Sequence, residues 1–103
     1  MFGGMMEKLQ KAQQEMEEAK AQLDHVIVDA ESNCKSVLVE ITANGQVKKV
    51  DVRRELTDLD KEELEDLLIM TLNKAYQKAN QLKEQEMARV AQSSMPNIPG
   101  MGM

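Results

Sequence analysis

Few side chains in this sequence are suited to catalysis or metal binding. The 103 residues include one histidine, His25, and one cysteine, Cys34, and neither lies in a motif that builds a nucleophilic or metal site. His25 is expected where a helix gives way to a strand, and Cys34 in a turn as an exposed thiol. A glycine-rich phosphate loop and the HExxH, CxxC and GxSxG motifs are all missing from the sequence. We therefore expect no enzyme: no catalytic residue, no cofactor and no metal.

Residues 58–66 form a carboxylate run that resembles, at first sight, an acid catalyst or a divalent metal site. The glycine that an EF-hand loop requires is missing from it. Thr57 precedes Asp60, and Asp60 precedes Glu63, at the spacing of a capping box, and negative charge is favourable at a helix N-terminus. The run therefore predicts the start of a helix near residue 60.

The basic residues fall into two sets that suit contact with phosphate groups. The first set lies at the edge and exit of predicted strands, and the second lies along a long predicted helix. From these sets we predict the DNA-binding residues Lys35, Lys48, Lys49, Arg53, Arg54, Lys74 and Lys78, while Lys83 and Arg89 lie farther along the helix. Phe2 and Tyr76 are the only aromatic residues, so stacking on single-stranded bases is not available, and duplex phosphates are the expected contact.

The net charge of −5 argues against nucleic acid as a partner, because phosphate binding depends on Lys and Arg that displace counterions. The acidic surplus is uneven, however. Residues 25–55 hold five basic and five acidic groups, whereas residues 56–92 hold five basic and eight acidic groups. The sequence predicts that the surplus belongs to the helical segments.

The expected compartment is the cytoplasm. The N-terminus lacks the basic start and apolar run of a secretory signal, and a single cysteine cannot form an intramolecular disulfide. The longest apolar run, residues 67–70, is far shorter than the roughly 20 residues of a membrane-spanning helix. We expect neither a membrane nor a small-molecule substrate as a partner.

The periodicity of apolar residues predicts an α+β fold in the order α-β-β-β-α. Residues 2–23 carry apolar side chains at spacings of three and four, as an amphipathic helix does. That stripe consists of Phe2, Met5, Leu9, Ala12, Met16, Ala19 and Leu23. Alternating patterns then predict antiparallel strands near 26–28, 37–41 and 50–52. Asn44-Gly45 predicts a tight primed turn, with positive φ at both central residues.

The second helix is predicted to be unusually long. No Gly or Pro interrupts the chain from residue 60 to Pro96, which allows about 30 residues and roughly 45 Å of helix. A compact chain of this size has a radius of gyration near ~13 Å, so the distal half of the helix should project. Residues 93–103, rich in Met, Pro and Gly, are predicted to be a disordered tail after a single domain of residues 1–92.

The same helix predicts self-association. The apolar side chains in its first turns spread around more of the helix than one amphipathic stripe covers, and a single small sheet cannot bury them all. We expect a homodimer whose interface includes Leu64, Leu67, Leu68 and Leu72.

Several short motifs follow one another in a characteristic order and spacing. They are the Met1-Phe2-Gly3 start with a Gln/Met-rich first helix, the strand at 37–41 leading into Asn44-Gly45, Val50 and Val52, and Leu64-Glu65-Asp66-Leu67 followed by Asn73 and Ala75. Together they resemble the YbaB/EbfC family of bacterial nucleoid-associated proteins across nearly the whole chain. One departure is that Asn33-Cys34-Lys35 replaces the glycine-rich turn common before the second strand.

The resemblance implies an intertwined or tweezer-like homodimer that binds DNA with little or loose sequence preference. It also implies association with the nucleoid and an influence on gene expression. The alternative is a protein-interaction or chaperone-like adaptor whose projecting helices grip a partner through apolar stripes. Salt dependence separates the two, because phosphate binding weakens steeply with ionic strength.

Overall fold

The computed structural model describes residues 2–94, and the predicted α-β-β-β-α order is confirmed. Helix α1 covers Phe2–Gln22, followed by a 3-10 turn at Leu23–His25. The strands are β1 (Ile27–Glu31), β2 (Val37–Thr42) and β3 (Val47–Val52). After a 3-10 turn at Leu56–Asp58, helix α2 covers Lys61–Ser94 and so includes the first two residues of the predicted tail. Residues 95–103, the rest of that tail, lie outside the described residues.

The core lies between the central strand and α2. The three strands form one antiparallel sheet in the order β1-β2-β3. On β2, the alternating residues Val37, Val39 and Ile41 are fully buried, as the sequence pattern predicts for a half-buried strand. Ala75 and Ala79 of α2 pack against them, and these small side chains allow the helix to lie close to the sheet. One face of the sheet is therefore covered by α2, and the other is open.

The start of α2 agrees with the capping prediction. The Asp60 carboxylate accepts a hydrogen bond from the Glu63 backbone N–H at 2.7 Å, and the Asp60 carbonyl accepts one from the Leu64 N–H at 3.0 Å. Asp60 is thus the N-cap residue: its carboxylate satisfies one of the free N–H groups of the first turn, and its carbonyl accepts the first intrahelical bond.

The β2–β3 hairpin is confirmed, but its predicted turn type was wrong. Among the described residues other than glycine, positive φ occurs only at Lys35, so Asn44 does not have it, while Gly45 has φ +97°. The Gly45 N–H donates to the Thr42 carbonyl at 2.8 Å. The loop therefore has three residues, 43–45, instead of the predicted two, and glycine occupies the left-handed position. The Asn44 side chain instead donates to the Lys20 carbonyl at 2.8 Å and to Asp24 Oδ1 at 2.6 Å. Tertiary contact with α1 decides the turn.

Strand β3 contains a bulge that the sequence pattern does not reveal. Lys49 lies opposite Glu40, but the next pair along the ladder is Val47 with Ile41, so Lys48 is an extra residue. Val47, Val50 and Val52 consequently face the α2 side of the sheet. They lie at its edge and stay half-buried or exposed.

The distal half of α2 extends past the sheet as predicted, but it is paired with α1 rather than free. The molecule measures 70 × 26 × 16 Å, with a radius of gyration of 19.8 Å. The C-terminal end of α1 lies beside Leu82 and Glu86, and Leu23 and Val90 are buried. In contrast, Met5 and Leu9 in the first half of α1 are exposed. The α1 stripe is therefore covered along only part of its length.

The β1–β2 turn holds Lys35 in a conformation that suits glycine. Its φ is +61°, in the left-handed region, where an L side chain costs about 1–2 kcal/mol. The turn is fixed from within, because the buried Ser32 hydroxyl accepts hydrogen bonds from the Ser36 and Val37 N–H groups at 3.0 and 3.1 Å. These bonds compensate for the strained backbone.

Replacing Lys35 by glycine should stabilise the protein. We expect Lys35→Gly to raise the free energy of unfolding by about 0.5–1 kcal/mol, the relief of the left-handed strain less the greater chain entropy of glycine. Urea unfolding measures the change. Lys49→Gly, at an extended strand position, is the matched control and should lower the same quantity. Equal destabilisation by both variants would contradict the turn geometry.

Candidate nucleic-acid interface

All five predicted DNA-binding lysines are exposed, and three of them have no side-chain partner among the described residues. Lys48 and Lys49 lie side by side at the bulge of β3, and Lys35 lies in the β1–β2 turn at the opposite end of the sheet. No hydrogen bond or ion pair engages their side chains among the described residues. An ammonium group in this state is hydrated and can exchange its water for phosphate oxygens.

The two arginines at the exit of β3 are already paired with carboxylates. Arg53 Nη1 lies 3.0 Å from Glu31 Oε2, and Arg53 Nε lies 3.5 Å from Asp51 Oδ2. Arg54 Nη1 lies 3.0 Å from Glu63 Oε1. These side chains are 33–46% exposed, and ion pairs this accessible contribute about 0–1 kcal/mol each. A phosphate group can therefore displace them at modest cost.

Lys74 and Lys78 occupy the other edge of the sheet. Lys74 Nζ donates to the Glu31 carbonyl at 3.0 Å, and Lys78 Nζ donates to the Asp29 carbonyl at 2.7 Å. The structure thus divides the seven predicted residues: Lys48, Lys49, Arg53 and Arg54 follow β3, Lys35 lies in the turn near Arg54, and the two α2 lysines follow β1. Farther along α2, Arg89 pairs with Glu86 and holds the pKa of that carboxyl below its usual range.

Acidic side chains lie near these cations, and the acidic surplus of the chain is confined to one segment. Residues 55–77 hold seven acidic and two basic groups, a net charge of −5 that equals that of the whole chain. On the open face of the sheet, Glu40 lies opposite Lys49 in the strand register, and Asp29 lies opposite Glu40. The acidic surplus is thus concentrated in residues 55–66, the segment that leads into α2 and its first turns.

The Cys34 thiol is exposed, as predicted, but its surroundings favour the thiolate. Its Sγ lies 3.5 Å from Ser32 Oγ and 3.1 Å from Ser36 Oγ. Hydrogen bonds from these hydroxyls, with a smaller contribution from the Arg54 charge, lower the pKa of the thiol from 9.0 to about 7. Sequence reasoning missed this effect, because the two serines matter only once the turn has formed.

Alkylation of Cys34 should therefore begin at unusually low pH. The thiolate is the reacting form, so the iodoacetamide rate should rise with pH to a midpoint near 7 rather than 9. Ser36→Ala removes one of the hydroxyls and should move the midpoint upward. Mass spectrometry of the native protein across a pH series measures both rates. A wild-type midpoint at the ordinary thiol value would contradict this account.

Four exposed apolar side chains lie on the β3 side of the molecule, on the strand and on α2. Val47 and Val50 face the α2 side of the sheet, and Ile69 and Tyr76, seven residues apart, lie on the β3 side of the helix. We call Val47, Val50, Ile69 and Tyr76 the apolar strip. The ring of Tyr76 reaches the hairpin, where a Cβ on Gly45 would lie 3.3 Å from its Cε1. Sequence reasoning missed the strip, since helix and strand meet there only after folding.

The four leucines predicted for the dimer interface, Leu64, Leu67, Leu68 and Leu72, pack against the sheet core within the chain. Each is only partly buried. Leu72, four residues before Tyr76, adjoins the apolar strip, whereas Leu67, seven residues before Lys74, lies on the β1 side of α2.

Comparison with known proteins identifies the family. The model of the YbaB/EbfC DNA-binding family matches residues 1–95. The chain belongs to this family. The resemblance seen in the sequence is thereby confirmed, and the family is one of nucleoid-associated DNA-binding proteins rather than of enzymes.

Two bacterial relatives bear the name nucleoid-associated protein. The one from Flavobacterium johnsoniae is 44% identical over 98 residues, which cover 95% of this chain and 92% of the relative. The one from Thermodesulfovibrio yellowstonii is 36% identical over 103 residues, covering 98% and 88%. These names associate the relatives with the nucleoid.

A solved structure has the same fold. The crystal structure of an uncharacterised protein from Helicobacter pylori matches with a TM-score of 0.71 at 19% identity, covering 85% of this chain and 90% of that one. Within residues 2–94, no helix is long and apolar enough to cross a membrane, and no three His, Cys, Asp or Glu side chains are grouped as a metal site.

Proposed function

We propose that this protein binds duplex DNA as a homodimer, with little or loose sequence preference, and thereby influences nucleoid organisation and gene expression. The observation that carries the proposal is the row of cations along β3 in a chain of a DNA-binding family. Lys48 and Lys49 are exposed and unpaired there, and Arg53 and Arg54 follow on the same strand exit.

The binding mode that these residues support is electrostatic. Lysines at an exposed bulge meet phosphates as point charges and carry no pattern of donors that distinguishes bases. Arg53 and Arg54 also bind the duplex when phosphate oxygens replace their carboxylate partners. Lys35 extends the row of cations at the β1–β2 turn. Lys74 and Lys78 each use one ammonium hydrogen on a backbone carbonyl, which leaves further donors for phosphate.

The acidic segment 55–66, which leads into α2, limits how a duplex approaches. Phosphates are repelled by the carboxylates of residues 55–66 and attracted by the β3 lysines, so the duplex lies along the β3 side of the sheet. Affinity is modest for a single chain, because the protein's own carboxylates compete for Arg53 and Arg54. Two chains related by a two-fold axis present the row twice and add their contacts on one duplex.

The apolar strip supports the homodimer. Val50 is 46% exposed and Ile69 is 58% exposed, and exposed apolar patches on small proteins commonly mark association sites. Of the four predicted interface leucines, Leu68 and Leu72 adjoin the strip on α2, so a second copy that covers it also buries them further. Interface and cation row then lie on one side of each chain.

We also propose that the protein has no catalytic activity and that neither a membrane nor a small-molecule substrate is its partner. It acts in the cytoplasm, on the nucleoid, as the names of its relatives suggest.

One observation favours a second function, that of a protein-interaction or chaperone-like adaptor. Met5, Met6 and Leu9 in the first half of α1 are all more than half exposed. An amphipathic helix with such a face can bind an apolar groove or segment of another protein. Binding of this kind is nearly indifferent to salt.

Removing the β3 lysines should weaken DNA binding without changing its lack of sequence preference. We expect Lys48→Ala with Lys49→Ala to weaken affinity for unrelated duplexes by a similar factor. The slope of log affinity against log salt should flatten by about 0.9 for each phosphate that the variant no longer neutralises. Gel shift or anisotropy at several salt concentrations measures both quantities.

The matched control is Lys20→Ala with Lys61→Ala, which removes the same charge from the two helices. It should change affinity less. Equal effects of the two pairs would mean that only net charge matters. A wild-type protein that binds no duplex even at low salt would exclude DNA binding and favour the adaptor.

A carboxylate in the apolar strip should dissociate the homodimer. Ile69→Glu is expected to reduce the mass in light scattering from about twice 11.6 kDa to the monomer value, because an unpaired charge buried in an apolar interface is strongly unfavourable. The fold should survive, since Ile69 is exposed within the chain. Met70→Glu is the control, equally exposed at 58% but on the β1 side of α2. Monomeric wild type would refute the homodimer.

A further inference from the structure

The two edges of the sheet are not equivalent. In the order β1-β2-β3, both β1 and β3 are edge strands, and an edge strand exposes backbone N–H and C=O groups to which another strand can add. On β1, the carbonyls of Asp29 and Glu31 are bonded by Lys78 and Lys74 at 2.7 and 3.0 Å. On β3, no side chain among the described residues bonds the outer backbone groups.

The strand register shows that these are the outward-facing carbonyls of β1. The Val37 carbonyl accepts from the Ser32 N–H, and the Ala43 N–H donates to the Val26 carbonyl, so the odd-numbered residues of β2 bond to β1. Their partners on β1 are Val28 and Ala30, opposite Ile41 and Val39. In an antiparallel ladder the residues between, Asp29 and Glu31, point away from β2.

The spacing of the two lysines matches that of the two carbonyls. Residues four apart on a helix lie on one face and about 6 Å apart along the axis. Residues two apart on a strand are separated by about 6.8 Å. Lys74 and Lys78 therefore reach successive outward carbonyls from one helix face, and their side chains lie across the edge where an added strand would sit.

From this geometry we infer that Lys74 and Lys78 close the β1 edge to strand addition and so confine self-association to the β3 side of the molecule. The occupant that they exclude is the β3 strand of a second copy. The inference rests on the proposed homodimer for the choice of partner, but the closed edge is a property of the single chain.

The consequence is an assembly that stops at a pair. Pairing of β1 in one copy with β3 in the next is head-to-tail, and it leaves a free edge on each end to which further copies add. With β1 closed, β3 is the sheet edge that remains open, and two copies that meet on their β3 sides use each other's sites completely. Strongly hydrated ammonium groups at the edge also resist burial by an incoming strand.

Replacing both lysines by methionine tests the inference. Lys74→Met with Lys78→Met keeps the unbranched apolar stems but removes the donors. In the absence of DNA, we expect about a twofold or greater rise in weight-average mass over wild type, increasing with concentration, in sedimentation velocity. Circular dichroism verifies the fold, and Lys78→Met alone should give the same species at lower population if the double variant is unstable.

Two further double variants serve as controls. Lys74→Arg with Lys78→Arg retains donors and should keep the wild-type mass. Lys61→Met with Lys83→Met removes the same charge from α2 without touching β1 and should also keep it. The inference would be overturned if Lys74→Met with Lys78→Met, and Lys78→Met alone, both kept the wild-type mass. Larger assemblies in the control with Lys61→Met and Lys83→Met would also overturn it. The wild-type mass alone separately decides the proposed homodimer.

Discussion

Burial of β2 beneath α2 is the interaction on which the other features depend. Val37, Val39 and Ile41 are fully buried, and each such side chain contributes roughly 1.5–3 kcal/mol relative to an exposed one. Ala75 and Ala79 keep the helix close to the sheet. Because α2 lies over the central strand, its two flanks reach the two edges of the sheet.

The flanks of α2 give the two sides of the sheet different properties. On the β1 side, Lys74 and Lys78 hydrogen-bond the strand backbone. On the β3 side, Ile69, Tyr76 and Val50 are exposed apolar side chains, and Lys48 and Lys49 lie at the bulge of β3. A chain of net charge −5 can still offer phosphates a favourable surface, because its acidic surplus is concentrated in residues 55–66, before α2 and in its first turns.

Local sequence determined the elements and their order. The signals for these elements act over a few residues, and the burial and hydrogen bonding of the fold agree with them. They are the alternation around Val39, the capping residue Asp60 and the unbroken helical stretch before Pro96. The family was also recognisable from short motifs in order. The basic residues were visible as candidates, but their partners were not: Arg53 and Glu31 are 22 positions apart, and nothing local pairs them.

Only the tertiary structure decided which cations are unpaired, which edge is covered and how the hairpin turns. Asn44 adopts its conformation because its side chain bonds the end of α1, 24 residues away, and this contact outweighs the local preference of Asn-Gly for a primed turn. The bulge at Lys48 likewise follows from the register with β2. Sequence periodicity indicates which face of an element a residue favours. The partner of a charged side chain, or of a backbone group on an edge strand, is instead whatever group the fold brings within about 3 Å of it.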